Sequence, residues 1–293
     1  MAGPGQLGST ADSIYKNKDS MRRISFLSLL LCASLTACTD GHRAKPQDHV
    51  PAAPVFGKQA KSTGKVELPP TEIVREGNLL RLNYEGFTVW LDCEKRGAVK
   101  WRYNAQRDTG SQARDNGFQL DPSVPKDCQQ TSTKGYGHGY DRGHQVPANH
   151  VDAVAVAIKQ SNYMTNILPQ ISQMNRGAWK LTEEIVECYR DIDELLVIGG
   201  VIWGNNPADD FFIESHGVRT PDAFWKAVVR GDGRAIAWIV PNTKDAVEAK
   251  LDGYLVTVEE IERLTGEKLP VTGDARITKP KGSWVVPIGC NKG

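Results

Sequence analysis

The stretch Gly135-Tyr136-Gly137-His138-Gly139-Tyr140-Asp141-Arg142-Gly143-His144, followed by Gln145-Val146-Pro147-Ala148, decides how this chain is read. Four glycines within it point to a backbone that comes close to something. No Gly-Lys-Ser/Thr follows, so a loop that cradles a nucleoside triphosphate is excluded. His144 beside Arg142 sets a titratable imidazole next to a fixed cation. Phosphodiester hydrolysis needs both, a base to take a proton from water and a positive charge against the phosphorane. Taken alone, Asp141-Arg142-Gly143-His144 is more often structural.

Downstream, Thr165-Asn166-Ile167-Leu168-Pro169-Gln170 runs into Gln173-Met174-Asn175-Arg176-Gly177-Ala178-Trp179 and then a helix carrying Glu183. At about 100° per residue, Glu183 lies about 80° around from Asn175, so the two share one broad face. An amide oxygen and a carboxylate then point to one neighbourhood. Magnesium is a hard cation that keeps most of its waters, so one direct Asn ligand and a carboxylate on a bound water are chemically adequate. The plainer alternative is an Asn that caps the helix and a Glu that faces solvent. His138 and His150 flank His144, but a three-histidine metal site is the weaker reading. Trp179 and Trp225 read as core rather than as platforms for stacked bases.

Outside these motifs, Leu79–Tyr84, Phe87–Asp92 and residues 99–104 read as successive strands separated by Glu-Gly and Lys-Arg-Gly turns. Leu195–Trp203, 224–230 and 235–240 are further strands, the last two joined by Gly231-Asp232-Gly233. Helices are expected over 151–160, 176–190 and 258–264, the last opened by Thr257 with Glu260 three residues on and closed by Gly266. The fold class is α+β, with a mixed, largely antiparallel sheet in a single domain that begins near Arg75.

The amino end carries Met21-Arg22-Arg23 before a short apolar run that ends in Leu35-Thr36-Ala37-Cys38. A basic start and an apolar run too short to span a bilayer make a signal peptide. Its last four residues resemble the bacterial lipobox, in which the cysteine is acylated. Residues 1–20 are then an upstream extension, 21–38 the signal peptide with Cys38 as lipidation site, 39–72 a Pro/Ala/Lys-rich tether and 73–293 the folded domain. The expected location is the bacterial cell envelope, periplasmic or outer-membrane, and otherwise the exterior. Cys93, Cys128, Cys188 and Cys290 remain, an even number that suggests two disulfides with three pairings open. No two sit at the C-x-x-C spacing of structural zinc. Beyond Cys38, 32 basic residues face 33 acidic ones. Any grip on phosphate must therefore come from a local patch.

The three motifs, in this order and spacing, resemble the DNA/RNA non-specific endonuclease family, the endonuclease G-like nucleases. The similarity continues through Val197-Ile198-Gly199-Gly200, Val218-Arg219-Thr220-Pro221-Asp222-Ala223-Phe224-Trp225-Lys226 and Ile239-Val240-Pro241-Asn242, and covers most of residues 80–270. The resemblance implies a ββα-metal finger, in which a strand delivers the histidine and the following helix the metal-binding asparagine. It implies Mg2+-dependent hydrolysis of DNA and RNA, with Mn2+ a substitute and 5′-phosphate products. Carried over by position, His144 is the general base and Asn175 the direct metal ligand. Arg142 holds the phosphate, Asn166 supports the histidine and metal region, and Glu183 binds a water on the metal. Asp141 anchors the motif through a buried ion pair. The second phosphate arginine is Arg114, with Arg107 as fallback. The family admits a homodimer while each protomer's site suffices alone. Gly200 stands where the family often has proline, a departure expected to affect only a turn. The rival reading is a nuclease-like module, tethered to the envelope through Cys38, that binds nucleic acid or protein without cutting.

Overall fold

The computed structural model describes residues 70–110, 112–205 and 207–292; the signal peptide, Cys38 and nearly all of the tether lie outside them. The main sheet is built from β1 (Glu72–Glu76), β2 (Leu79–Tyr84), β3 (Phe87–Asp92), β4 (Gly97–Ala105), β7 (Leu195–Trp203), β8 (Pro221–Arg230), β9 (Ala235–Pro241) and β10 (Leu255–Val256), in the order β1-β2-β3-β4-β7-β8-β9-β10. Every neighbouring pair is antiparallel, so the α+β class with a large antiparallel sheet is what the sequence led one to expect. β2 and β3 alternate buried and half-buried residues in step with their apolar pattern.

The central strands differ because both faces are covered. Leu82, Trp101, Val197, Phe224 and Trp238 point into the larger core. Ile198, Trp225, Ala227 and Ala237 pack on the other side with Val258 and Ile261 of the amphipathic helix Val258–Thr265. That helix is capped as its sequence indicates, with Glu260 N–H donating to Thr257 Oγ1 at 3.0 Å and Gly266 in the left-handed region. Trp179 and Trp225 are fully buried. Gly199 and Gly200 lie inside β7, where a Cβ would stand 2.0 Å from the Trp101 indole and 2.4 Å from the Val99 carbonyl respectively. The departure at Gly200 therefore belongs to a central strand packed under two indoles, not to a turn.

Between the adjacent strands β4 and β7 the chain inserts a module that holds all three motifs. Its β5 (Tyr140–His144) pairs antiparallel with β6 (Ile167–Ile171), with His144 opposite Ile167 and Arg142 opposite Pro169. The glycines are explained here. Gly137 and Gly139 take positive φ in the turn before β5, and a Cβ on Gly143 would lie 2.2 Å from the side chain of fully buried Gln170. The close approach is to the partner strand rather than to a ligand.

The helix expected over 151–160 is divided. A turn of 3-10 helix, Ala148–Val151, stops where the Asp152 carbonyl accepts from Gln112 N–H, and α1 (Ala155–Ser161) starts afresh. After β6, a helical turn Ser172–Met174 passes through a wider turn, Asn175–Trp179, into α2 (Lys180–Arg190). The wide turn has its cause in Gly177, whose missing Cβ leaves 3.1 Å to Val247 Cα and lets Ala178 N–H reach the Ala246 carbonyl. An offset of about 80° between Asn175 and Glu183 holds only for a regular helix through both, and this turn breaks it. Disulfides join Cys93 to Cys128 and Cys188 to Cys290, which settles the pairing left open above.

Candidate active site

β5 and β6 lead into the helical stretch, so a strand carries His144 and the start of the following helix carries Asn175. One cavity of about 290 Å³ is lined by Arg114, Arg142, His144, Asn162, Asn175 and Glu183 among others. Asn162 was not singled out in the sequence. It stands at the end of α1, where an Asn reads as a cap. Its Nδ2 donates to the Asp115 carbonyl, which turns its Oδ1 towards His144 Nε2 at 2.9 Å. An acceptor at that position requires Nε2 to carry the proton, so Nδ1 is the bare nitrogen. Burial pushes the His144 pKa down to about 4; the bond to Asn162 opposes this, and the charges of Arg114 and Arg142 add to it.

Arg142 is fixed at both ends of its guanidinium. Its Nη1 donates to the Thr133 carbonyl at 2.7 Å, and its plane lies 3.8 Å from the centre of the Phe118 ring. The same ring sits 5.6 Å from His144. Phe118 thus spaces the imidazole and the guanidinium, a placement the sequence did not reveal. Arg114 is exposed and lines the cavity. Arg107 donates to the Asp191 carbonyl and lines a different cavity.

Asp141 ties the two strands' module together. Its carboxylate accepts from Ser172 Oγ at 2.9 Å, Asn175 Nδ2 at 3.0 Å, and Arg176 Nε and Nη2 at 2.9 and 2.7 Å. Burial raises its pKa, and these donors more than reverse that. The expected ion pair is present, but Arg176 keeps 73% of its side chain exposed, so the pair is not a buried one. What Asp141 accomplishes is orientation: with Nδ2 engaged, Asn175 presents an Oδ1 that no hydrogen bond among the described residues uses.

Asn166 does not touch His144 by any hydrogen bond. Fully buried, it brackets Val146 by accepting from its N–H and donating to its carbonyl, both at 3.0 Å, and donates again to the Ser161 carbonyl at 2.8 Å. It fixes the chain just past His144. Glu183 is pushed up to about 7 by burial, against the pull of Lys226, Arg114 and Lys180. Lys226, fully buried, donates to Thr182 Oγ1 at 2.7 Å and lies 4.0 Å over the Trp179 ring. His150 turns into the core instead, bonded to Tyr103 and facing Glu187, while His138 is exposed in the turn before β5. The three histidines therefore do not converge.

A histidine, two arginines, an amide and a carboxylate thus meet on a strand-strand-helix unit beside a large antiparallel sheet, an α+β arrangement. The model of the DNA/RNA non-specific endonuclease family matches residues 71–279, and this chain belongs to that family. Bovine mitochondrial endonuclease G is 25% identical over 89% of this chain and 88% of its own length. Mitochondrial nuclease EXOG of Xenopus laevis is 25% identical over 51% of this chain and 46% of its own, so the chain spans about half the length of that relative. Nuclease C1 of Cunninghamella echinulata is 26% identical over 51% of this chain and 64% of its own. A solved chain from the EndoG/EndoGI complex shares the fold, with a TM-score of 0.52 and 19% identity over 68% of this chain and 86% of that one.

Proposed function

We propose that this protein is a divalent-cation-dependent endonuclease that hydrolyses DNA and RNA without sequence preference, with Mg2+ as the cation and Mn2+ a substitute. The observation that carries the reading is one cavity into which His144, two arginines, Asn175 and Glu183 are brought. His144 Nδ1 takes the proton from the attacking water while Asn162 holds Nε2–H. Arg142 and Arg114 face the phosphate. The donor set suits a hard cation, because Asn175 Oδ1 is left unengaged by the pin on its amide and Glu183 supplies a carboxylate in the same cavity. When bound, the cation would offset negative charge on the phosphate and the leaving oxygen. Glu183 would help hold it through a bound water, and Asp141 and Asn166 keep the two halves aligned. Products bear a 5′-phosphate and a 3′-hydroxyl.

Incubation of the purified protein with plasmid DNA and with RNA tests this directly. Nicking of both with Mg2+, lost in chelator, is expected; retardation in a gel with no cleavage under any divalent cation would instead identify a binding module. The pH dependence is set by direction. A general base must be neutral, and His144 with a pKa of about 4 is neutral through the physiological range. At saturating cation, kcat/KM is therefore expected to stay level down to about pH 5 and to fall below about pH 4. At limiting cation the decline is expected nearer 7, since Glu183 holds its proton up to about 7 and must lose it to serve the cation. A decline near 6.5 at saturating cation would mean instead that the imidazole is not held neutral by its burial.

We further propose that the enzyme is exported and tethered at the envelope through a lipid on Cys38, a reading supported by the basic start, apolar run and Leu-Thr-Ala-Cys of residues 21–38. Incorporation of labelled fatty acid that is lost on Cys38→Ser is expected; equal labelling of that variant contradicts it.

A further inference from the structure

α2 turns Glu183 to the active-site cavity and Glu184 to its flank. The Glu184 carboxylate, with a tenth of its side chain exposed, is shared by two ammonium groups: Lys180 Nζ on Oε1 and Lys292 Nζ on Oε2, each at 2.7 Å. Both lysines remain more than half exposed. One carboxylate between two cations leaves a positive excess, with N–H donors still free to take an anion. Lys292 reaches this point because Cys290 is bonded to Cys188 on the same helix. The segment before it is fastened too, by the Trp284 ring against Tyr189 and by Trp238 Nε1 donating to Ser283 Oγ.

A second cavity of about 380 Å³ opens here. Arg114, Lys180 and Glu183 line both it and the active-site cavity, while Lys292 closes its other side. Its wall holds Asp108, Asp152, Glu183 and Glu184 together with Arg114, Lys180, Arg190 and Lys292; Asp108 faces Arg190 and Glu184 faces the two lysines, so the positive excess is local to the pair of Lys180 and Lys292. With the chain near-neutral overall, a polyanion has to be drawn by local cationic groups such as this pair.

We propose that Lys180 and Lys292 form a second phosphate subsite beside the reacting centre, which takes a neighbouring phosphodiester of the same strand. The disulfide Cys188–Cys290 makes the segment that bears Lys292 part of the substrate-binding surface. This rests on the nuclease reading above.

The test is Lys292→Gln in the full chain, where Glu184 keeps Lys180 as a partner and the fold is retained. KM for a polynucleotide is expected to rise severalfold with kcat unchanged, and the slope of log affinity against log salt to become shallower by about one. KM for bis(p-nitrophenyl) phosphate, which has a single diester, is expected to stay the same. Lys292→Arg restores the slope, and Cys188→Ser with Cys290→Ser reproduces the Lys292→Gln change. A wild-type slope and KM in Lys292→Gln overturns the subsite, as does an equal rise on the small diester. If the wild type cuts nothing, the nuclease reading falls alone. DNA retention measured in chelator still decides the subsite, by whether Lys292→Gln lowers the salt slope.

Discussion

His144→Ala is expected to stop plasmid nicking while gel retardation of the same DNA persists, with a loss in kcat of about 10²- to 10⁴-fold, the usual contribution of a positioned general base. The size follows from the surroundings of the ring. Nε2 is committed to Asn162, so only Nδ1 can accept a proton, and burial with two nearby arginines keeps the imidazole neutral. A depressed pKa makes the base weaker, yet at neutral pH none of it is lost to protonation. The arginines, Asn175 and Glu183 are untouched by the substitution, which is why binding is expected to persist. His138→Ala is the matched control, because that residue is exposed in the turn before β5. Full nicking by His144→Ala in the presence of Mg2+ would remove the histidine from the chemistry.

How much of this could be read beforehand depends on which physical signal each part carries. β2, β3 and β7 were legible to the residue because alternation or an unbroken apolar run between turn residues leaves few alternatives. β1 was not, since Glu72-Ile73-Val74-Arg75-Glu76 is an edge strand dressed in charges. β5 and β6 were hidden from the apolar pattern for a different reason, and only the family resemblance implied a strand under His144. Tyr140-Asp141-Arg142-Gly143-His144 is polar throughout and Ile167–Ile171 contains a proline, which a two-stranded edge pair tolerates. The candidate site was legible as residue types and, for Asn175 and Glu183, as one neighbourhood; the backbone path that brings them together was not. That required Gly177 to widen the turn after Asn175, and nothing local to the sequence announces contact with the backbone near Val247. Asn162 escaped because its signal is tertiary: only the Asp115 carbonyl, far along the chain, fixes which way the amide faces.

Asn175→Ala is expected to lower kcat/KM by about 10- to 100-fold or more and to raise the Mg2+ concentration needed for half-maximal activity by a similar factor, on the scale seen when the support of a metal site is removed. The amide oxygen is a neutral protein donor left unengaged among the described residues, and its direction is set by Nδ2 on Asp141 at 3.0 Å. Asn175→Asp should not restore function. It keeps an oxygen but sets a second carboxylate against Asp141, where the lost Nδ2 donor had been, and like charges at hydrogen-bond distance repel. Asp141→Ala is expected to show a weaker form of the same defect, since Asn175 is then free to rotate while its oxygen remains. Asn166→Ala should separate from all three. It removes the bracket on Val146 and Ser161, so its loss should appear first in thermal stability and only then in cation dependence. Titration of activity against MgCl2, with calorimetric cation binding, distinguishes these outcomes. A wild-type Mg2+ requirement in Asn175→Ala would mean that the cation is held elsewhere in the cavity, with Glu183 as the first donor to examine.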